Sequence, residues 1–229
     1  MLGVAEDFDQ IRAHARAAAT AFPRARLVLG DVDDLRLDPA GASLRSIRLD
    51  VLFRYYPLDW CTTPALAPLL DVVAARQLAM IPGPHAVVSQ SKAFLAFLHE
   101  LEAHGFFPPE DAAAIRAYVP PTTLDHRRLQ SSWIAKPFLE REGHGVRFSE
   151  DLHPRERRRL ERTGAVFQQR VDLVSVRTPV ATARGWRIER RFLVFGVFLA
   201  GDEVAGVYTR AGARITGREA VFLPLVLHP

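Results

Sequence analysis

Trp133-Ile-Ala-Lys136-Pro-Phe-Leu-Glu-Arg141-Glu142-Gly143-His144-Gly145-Val-Arg-Phe148 is the stretch on which the fold turns. Its apolar start reads as a strand over 132–137 that delivers a lysine. A loop with two glycines beside Arg141 follows, and a second strand returns over 146–148. Such a strand–loop–strand unit can fold over phosphates, because glycine lets backbone N–H groups come close to an anion. The Gly-x4-Gly-Lys-Ser/Thr pattern of a Walker loop is absent. No helix opens on the glycines, which excludes a Rossmann turn. Spacing alone leaves a plain hairpin with a glycine turn open beside the phosphate loop.

Lys136 has one companion. The 229-residue chain holds 30 Lys and Arg, and only Lys92 and Lys136 are lysines. Arginine is planar and suits paired carboxylates, whereas the compact ammonium of lysine suits a phosphate oxygen in a tight pocket. Lys92 stands in the apolar run Ser91-Lys-Ala-Phe-Leu-Ala-Phe-Leu-His-Glu-Leu101, which belongs to a helix expected over 89–104. Two chance lysines in an Arg-biased chain and a two-lysine nucleotide site both fit this pattern.

Upstream, helices are expected over 5–21 and 64–78. Strands are expected at Ala25–Leu29, Asp34–Leu37, Leu49–Tyr56 and Ala79–Ile81, with a turn at Gly30-Asp31. That order predicts a small α/β lobe with a partly parallel sheet, residues 1–82, ended by a hinge at Pro82-Gly-Pro84. Residues 83–229 form the second domain. Here helices are expected over 89–104, 109–117 and 152–162, and strands over 165–171, 174–182, 186–200 and 203–210. Gly201-Asp202 marks a hairpin between the last two. The fold class is therefore α+β, with an antiparallel-rich sheet lobe after the helices. Trp133 and Trp186 are expected in the core.

Composition narrows the function classes. The chain is 48% hydrophobic and 24% charged with a net charge of +4, which is globular and not disordered. Arg155, Arg157, Arg158, Arg159 and Arg162 cluster without interleaved aromatics, so a solvated helix face is expected there and no nucleic-acid partner. A lone Cys61 forms no internal disulfide and fits a cytoplasmic protein. It follows Trp60 in an apolar segment and reads as an inert thiol. No apolar run is long enough for a membrane span. His99 and His104 lie five apart and diverge by roughly 140° on a helix, which excludes a shared zinc. Asp31, Asp33 and Asp34 read as a turn, and His144 as an exposed loop residue.

Six segments in order carry a more specific resemblance. They are Tyr56-Pro57-Leu58-Asp59-Trp60, Ser91-Lys92-Ala93-Phe94-Leu95, Lys136-Pro137-Phe-Leu-Glu-Arg141-Glu142-Gly143, Phe167-Gln168-Gln169, Gly206-Val-Tyr-Thr-Arg210 and Ile215-Thr216-Gly217 with Phe222-Leu-Pro224. Together they resemble the glutathionylspermidine synthase-like family of ATP-grasp ligases. The resemblance implies an ATP-grasp-like fold, with 1–82 as the lobe before the ATP-grasp portion. It implies an ATP-dependent carboxylate–amine ligase working through an acyl phosphate, with ATP and Mg2+ as cofactors. Small-molecule or peptide carboxylates and amines would be the substrates. By position, Lys92 and Lys136 would hold the nucleotide phosphates, and Arg141, Glu142 and Gly143 would close over them. Gln168 would lie beside the adenine, and Arg210 near the transferring group as the catalytic residue.

Departures from the family pattern bear on the metal. Gln169 stands where the family has Glu, and Ser91 where it has Asn. The family's magnesium ligands, an acidic residue and a Glu-x-Asn, lie upstream of the quoted segments, and this chain contains no asparagine. The magnesium ligands are thus unknown from sequence. The resemblance implies the C-terminal part of a ligase. The alternatives are a truncated or degenerate nucleotide-binding protein without catalysis, and a subunit completed by a second chain that supplies the upstream segment.

Overall fold

The computed structural model describes residues 2–3, 8–182 and 184–225. The chain folds into two compact units, Met1–Gln90 and Ser91–Pro229. Helices and largely antiparallel sheets make it an α+β protein.

In the first unit, β1 (Leu2–Gly3) precedes α1 (Phe8–Ala21), whose Ile11 and Ala15 are buried one turn apart. The expected helix start at residue 5 lies outside the described residues. β2 (Gly30–Asp31) pairs in parallel with β1, so the ladder forms at the expected turn and Ala25–Leu29 stays irregular. Asp31 caps a short 3-10 turn, its carboxylate accepting from the Asp33 N–H, and Asp34 pairs with Arg45. β3 (Leu35–Asp38), β4 (Gly41–Leu44) and β5 (Ile47–Leu49) form an antiparallel meander. The Asp38 carboxylate closes its first hairpin by accepting from the N–H groups of Ala40 and Gly41.

Sequence predicts one strand over Leu49–Tyr56, and the chain instead changes sheets at Asp50. β6 (Val51–Phe53) pairs in parallel with β7 (Ala79–Ile81), while β5 stays with β4. Between β6 and β7 lies α2 (Leu69–Ala74), shorter than expected because it starts only after Pro68, which lacks an N–H to continue a helix. Leu35, Leu44, Leu52 and Leu69 are almost fully buried and fill the core. Cys61 packs at its edge, and burial pushes its thiol pKa up, which suits an inert side chain. α3 (Ala86–Gln90) ends the unit.

The second unit begins with α4 (Ala93–Ala103) and α5 (Pro109–Tyr118). The expected single helix over 89–104 is broken at Ser91-Lys92. The Lys92 N–H donates to the Phe138 carbonyl at 2.8 Å and so leaves the helical ladder, which makes Lys92 the cap of α4. Then come β8 (Thr122–Thr123), β9 (Trp133–Pro137), β10 (Arg147–Phe148), α6 (Pro154–Thr163) and β11 (Ala165–Gln169). They build an antiparallel sheet in the order β10-β9-β11-β8.

β12 (Ser175–Thr182), β13 (Gly185–Ala200), β14 (Glu203–Gly212) and β15 (Val221–Leu223) form a second antiparallel sheet, with the hairpin at Gly201-Asp202 as expected. Trp133 is buried, as its sequence context predicts. Trp186 is 75% exposed and not in a core. It sits at the turn end of β13, opposite Ala181, where a hydrophobic side chain does not by itself bring a covering layer. Among the described residues no helix is long and apolar enough to cross a membrane.

Candidate functional site

Period-two alternation divides the β10-β9-β11-β8 sheet into two faces. Trp133, Ala135 and Phe167 turn to one side and pack with Leu152 as a core, the two rings meeting edge-on at 5.1 Å. Ile134, Lys136 and Gln168 occupy the other side, where Gln168 stands opposite Ile134 on β9 and Thr122 on β8. That face borders a cavity of about 480 Å3. Its size is in the range of small-molecule sites.

Lys136 enters this cavity from β9. Its Nζ donates to Gln168 Oε1 at 2.6 Å, Gln168 Nε2 donates to Thr122 Oγ1 at 2.9 Å, and the Thr122 hydroxyl donates to the Pro120 carbonyl at 2.7 Å. The chain of donors fixes which way the Gln168 amide points, with its oxygen toward the lysine. Burial holds the Lys136 pKa below its ordinary value, and the charge of Lys92 lowers it further. Lys92 lines the same cavity, and its Nζ donates to the Glu140 carbonyl. Both lysines are therefore tied to the segment that follows β9, one through its backbone and side chain, the other through its strand.

The glycine loop closes one wall. Glu142 and Gly143 both adopt positive φ, 51° and 72°. A Cβ on Gly143 would stand 2.6 Å from Ile215 Cγ2 and 2.9 Å from the Thr216 carbonyl oxygen, so only glycine lets the loop lie against the 215–216 turn. Glu142 also pairs with Arg218 at 3.0 Å. Arg210 holds the turn from behind, its Nη2 donating to the Gly217 carbonyl at 2.9 Å and its guanidinium lying over the Phe222 ring. His144 is exposed and pairs with Glu140 at 3.0 Å.

Of the residues singled out from sequence, Lys92, Lys136, Gly143 and Gln168 line the cavity together. Arg141, Glu142 and Arg210 stand outside its lining: Arg141 donates to the Leu139 carbonyl within the loop, while Glu142 and Arg210 both engage the 215–218 turn. Two lining cations are new. Arg170 follows β11 and pairs with Glu150 at 2.8 Å. Arg214 precedes Ile215-Thr216-Gly217 and stacks on Phe148, with 4.6 Å from Cζ to the ring centre. Thr122 was also missed, since two polar residues after Pro120-Pro121 resemble any loop. Ile134, Val146, Phe148, Val171, Leu173 and Ile215 supply an apolar lining that would suit a base or ring.

The arrangement can bind an anion with an apolar part. It does not offer a divalent-metal site: among the described residues no group of three His, Cys, Asp or Glu could hold a metal ion, and the charged side chains lining the cavity are all basic.

The family model described as glutathionylspermidine synthase preATP-grasp matches residues 3–228, and the chain belongs to that family. Membership supports an ATP-dependent ligase at family level, and ATP and Mg2+ are what the family uses in general. Among solved structures, the ATP-grasp ligase PsnB complexed with minimal precursor is similar, at 14% identity and a TM-score of 0.41, covering 96% of this chain and 87% of that chain. No curated protein matches.

Proposed function

We propose that this member of the glutathionylspermidine synthase preATP-grasp family binds ATP in the cavity beside Lys136 and serves carboxylate–amine ligation. The observation that carries the proposal is the convergence of Lys92, Lys136 and the Gly143 loop on one cavity with an apolar wall. In the proposed binding mode the triphosphate meets the two ammonium groups and the base lies toward Gln168 and the apolar lining. Lys136 is suited to this, since an ammonium held in a desolvated place attracts an anion more strongly than an exposed one.

The proposed chemistry is acyl activation. A carboxylate oxygen attacks the γ-phosphorus, ADP leaves, an amine attacks the acyl phosphate carbonyl, and inorganic phosphate departs as the amide forms. Charge neutralisation and positioning dominate such a reaction. Arg141 and Glu142 would steady the loop, and Arg210 would act through the turn it supports. Residues 1–82 are proposed as the lobe preceding the ATP-grasp portion, 83–229. The acid is a small molecule or peptide, the amine a polyamine or related compound, and the compartment the cytoplasm.

A second reading is favoured by one observation, the wholly basic lining without metal-holding carboxylates. It is nucleotide binding without turnover, either in a degenerate protein or in a subunit that a second chain completes. ADP release separates the two. With glutathione and spermidine as the first acid and amine, a ligase releases ADP only when both are present. ATP binding without such release over a panel of peptide acids and polyamines supports the second reading.

A further inference from the structure

The hydrogen bonds that begin at Lys136 run past the cavity lining. Lys136, Gln168 and Pro120 line the cavity, whereas Thr122 and His99 line a separate, smaller pocket of about 160 Å3. The Pro120 carbonyl lies 2.7 Å from the Thr122 hydroxyl and 3.1 Å from His99 Nε2. A carbonyl only accepts, so Thr122 commits its single hydroxyl proton to Pro120, and His99 carries a proton on Nε2. The Thr122 oxygen is thereby left as an acceptor, and it takes the Gln168 amide nitrogen at 2.9 Å. The amide oxygen then faces the Lys136 ammonium at 2.6 Å. Gln168 and Thr122 stand opposite each other on β11 and β8, only 6% and 4% exposed. An unpaired polar atom is costly in such a place.

Lys136 satisfies one end of the amide and Thr122 the other. Without the Thr122 oxygen the buried amide nitrogen has no acceptor, and the side chain gains most by turning that nitrogen toward the cavity. Such a turn takes Oε1 away from Lys136 and frees the ammonium to swing on its flexible four-carbon stem. We infer that Thr122 is a positioning residue for Lys136: through the Gln168 amide it holds the ammonium where the nucleotide binds, while touching no ligand itself. The inference rests on the nucleotide reading of the cavity and deepens it by one residue.

ATP is titrated calorimetrically into the full chain and into Thr122→Val, Thr122→Ser, Gln168→Leu and the Thr122→Val/Gln168→Leu double variant, with the melting temperature of each. Thr122→Val keeps the branched shape and removes the hydroxyl. It is expected to bind ATP roughly tenfold more weakly, the loss that goes with an unpaired buried donor. Thr122→Ser keeps the hydroxyl and is expected to bind like the wild type. In the Gln168→Leu background Thr122→Val is expected to change affinity no further, because the amide through which it acts is gone. Wild-type affinity in Thr122→Val overturns the inference and leaves the nucleotide reading standing. So does an equal loss in both backgrounds, and so does a Thr122→Ser variant as weak as the valine one. Should Thr122→Val not fold, Thr122→Ala takes its place with the same expected and overturning results. A wild-type chain that binds no ATP overturns both the inference and the nucleotide reading.

Discussion

Replacing Gly143 with alanine tests how the loop is held against the cavity. Two costs arise. At φ +72° an alanine pays about 1–2 kcal/mol relative to glycine. The new Cβ also meets Ile215 Cγ2 at 2.6 Å and the Thr216 carbonyl oxygen at 2.9 Å. The isoleucine methyl can rotate away, whereas the carbonyl is backbone and cannot do so cheaply. Opposing any displacement is the Glu142–Arg218 pair, which is partly exposed and worth at most about 1 kcal/mol. The cheaper response is therefore for the loop to lift off the 215–216 turn. Melting should fall by about 2–8 °C, the shift that 1–2 kcal/mol gives in a chain of this size. ATP affinity should fall by roughly tenfold or more as the wall opens. Gly105→Ala is the control, because Gly105 has φ +69° and nothing within 4 Å of its added Cβ. Differential scanning fluorimetry and calorimetry on both variants separate strain from contact. If Gly143→Ala behaves like Gly105→Ala in stability and leaves affinity unchanged, the loop does not close the site in the way described.

Other expectations concern the buried lysine. An anion bound beside Lys136 raises its depressed pKa, so binding takes up protons between the depressed value and the ordinary 10.5. Affinity should therefore be full below the depressed pKa and weaken as pH rises through it; calorimetry in buffers of different ionisation enthalpy reads the uptake, and none in that window contradicts the assignment. Stability without ligand follows the opposite trend: the cost of the buried charge is complete below the depressed pKa and is relieved as pH rises toward 10.5. Gln168→Glu places a carboxylate 2.6 Å from the Lys136 ammonium. It should keep the fold and lower ATP affinity by about a hundredfold or more, since the carboxylate competes with phosphate; unaltered affinity would mean that the nucleotide lies elsewhere.

Local pattern carried much of this molecule. The Lys136 hairpin, the Gly201-Asp202 hairpin and the helix opened by Pro108-Pro109 follow from turn residues and alternation, which act over a few positions. What sequence could not supply were choices made by distant partners. The helix ahead of Lys92 stops because its N–H is drawn to Phe138, 46 residues on. Leu49–Tyr56 divides because its two halves find different sheets. Arg210 looked chemically central, yet it serves the 215–217 turn, while Arg214 reaches the cavity. Arg210 lies near the end of β14 and Arg214 just past it, and which of the two reaches the cavity depends on what the turn packs against. Lys136 and Gln168 were each legible. Their contact across β9 and β11 depends on strand register, which only the folded ladder fixes.

The most direct measurement of the central claim is a calorimetric titration of ATP into the wild-type chain and into Lys136→Ala, with melting temperatures of both in parallel. Removing the side chain deletes a buried charge and also one hydrogen bond to Gln168, opposing effects of about 1–3 kcal/mol each, so the two proteins should melt within a few degrees of one another. The wild type should bind ATP with one site per chain and gain thermal stability from it, and the variant should do neither. ATP bound equally by both proteins would contradict the assignment of this cavity as the nucleotide site.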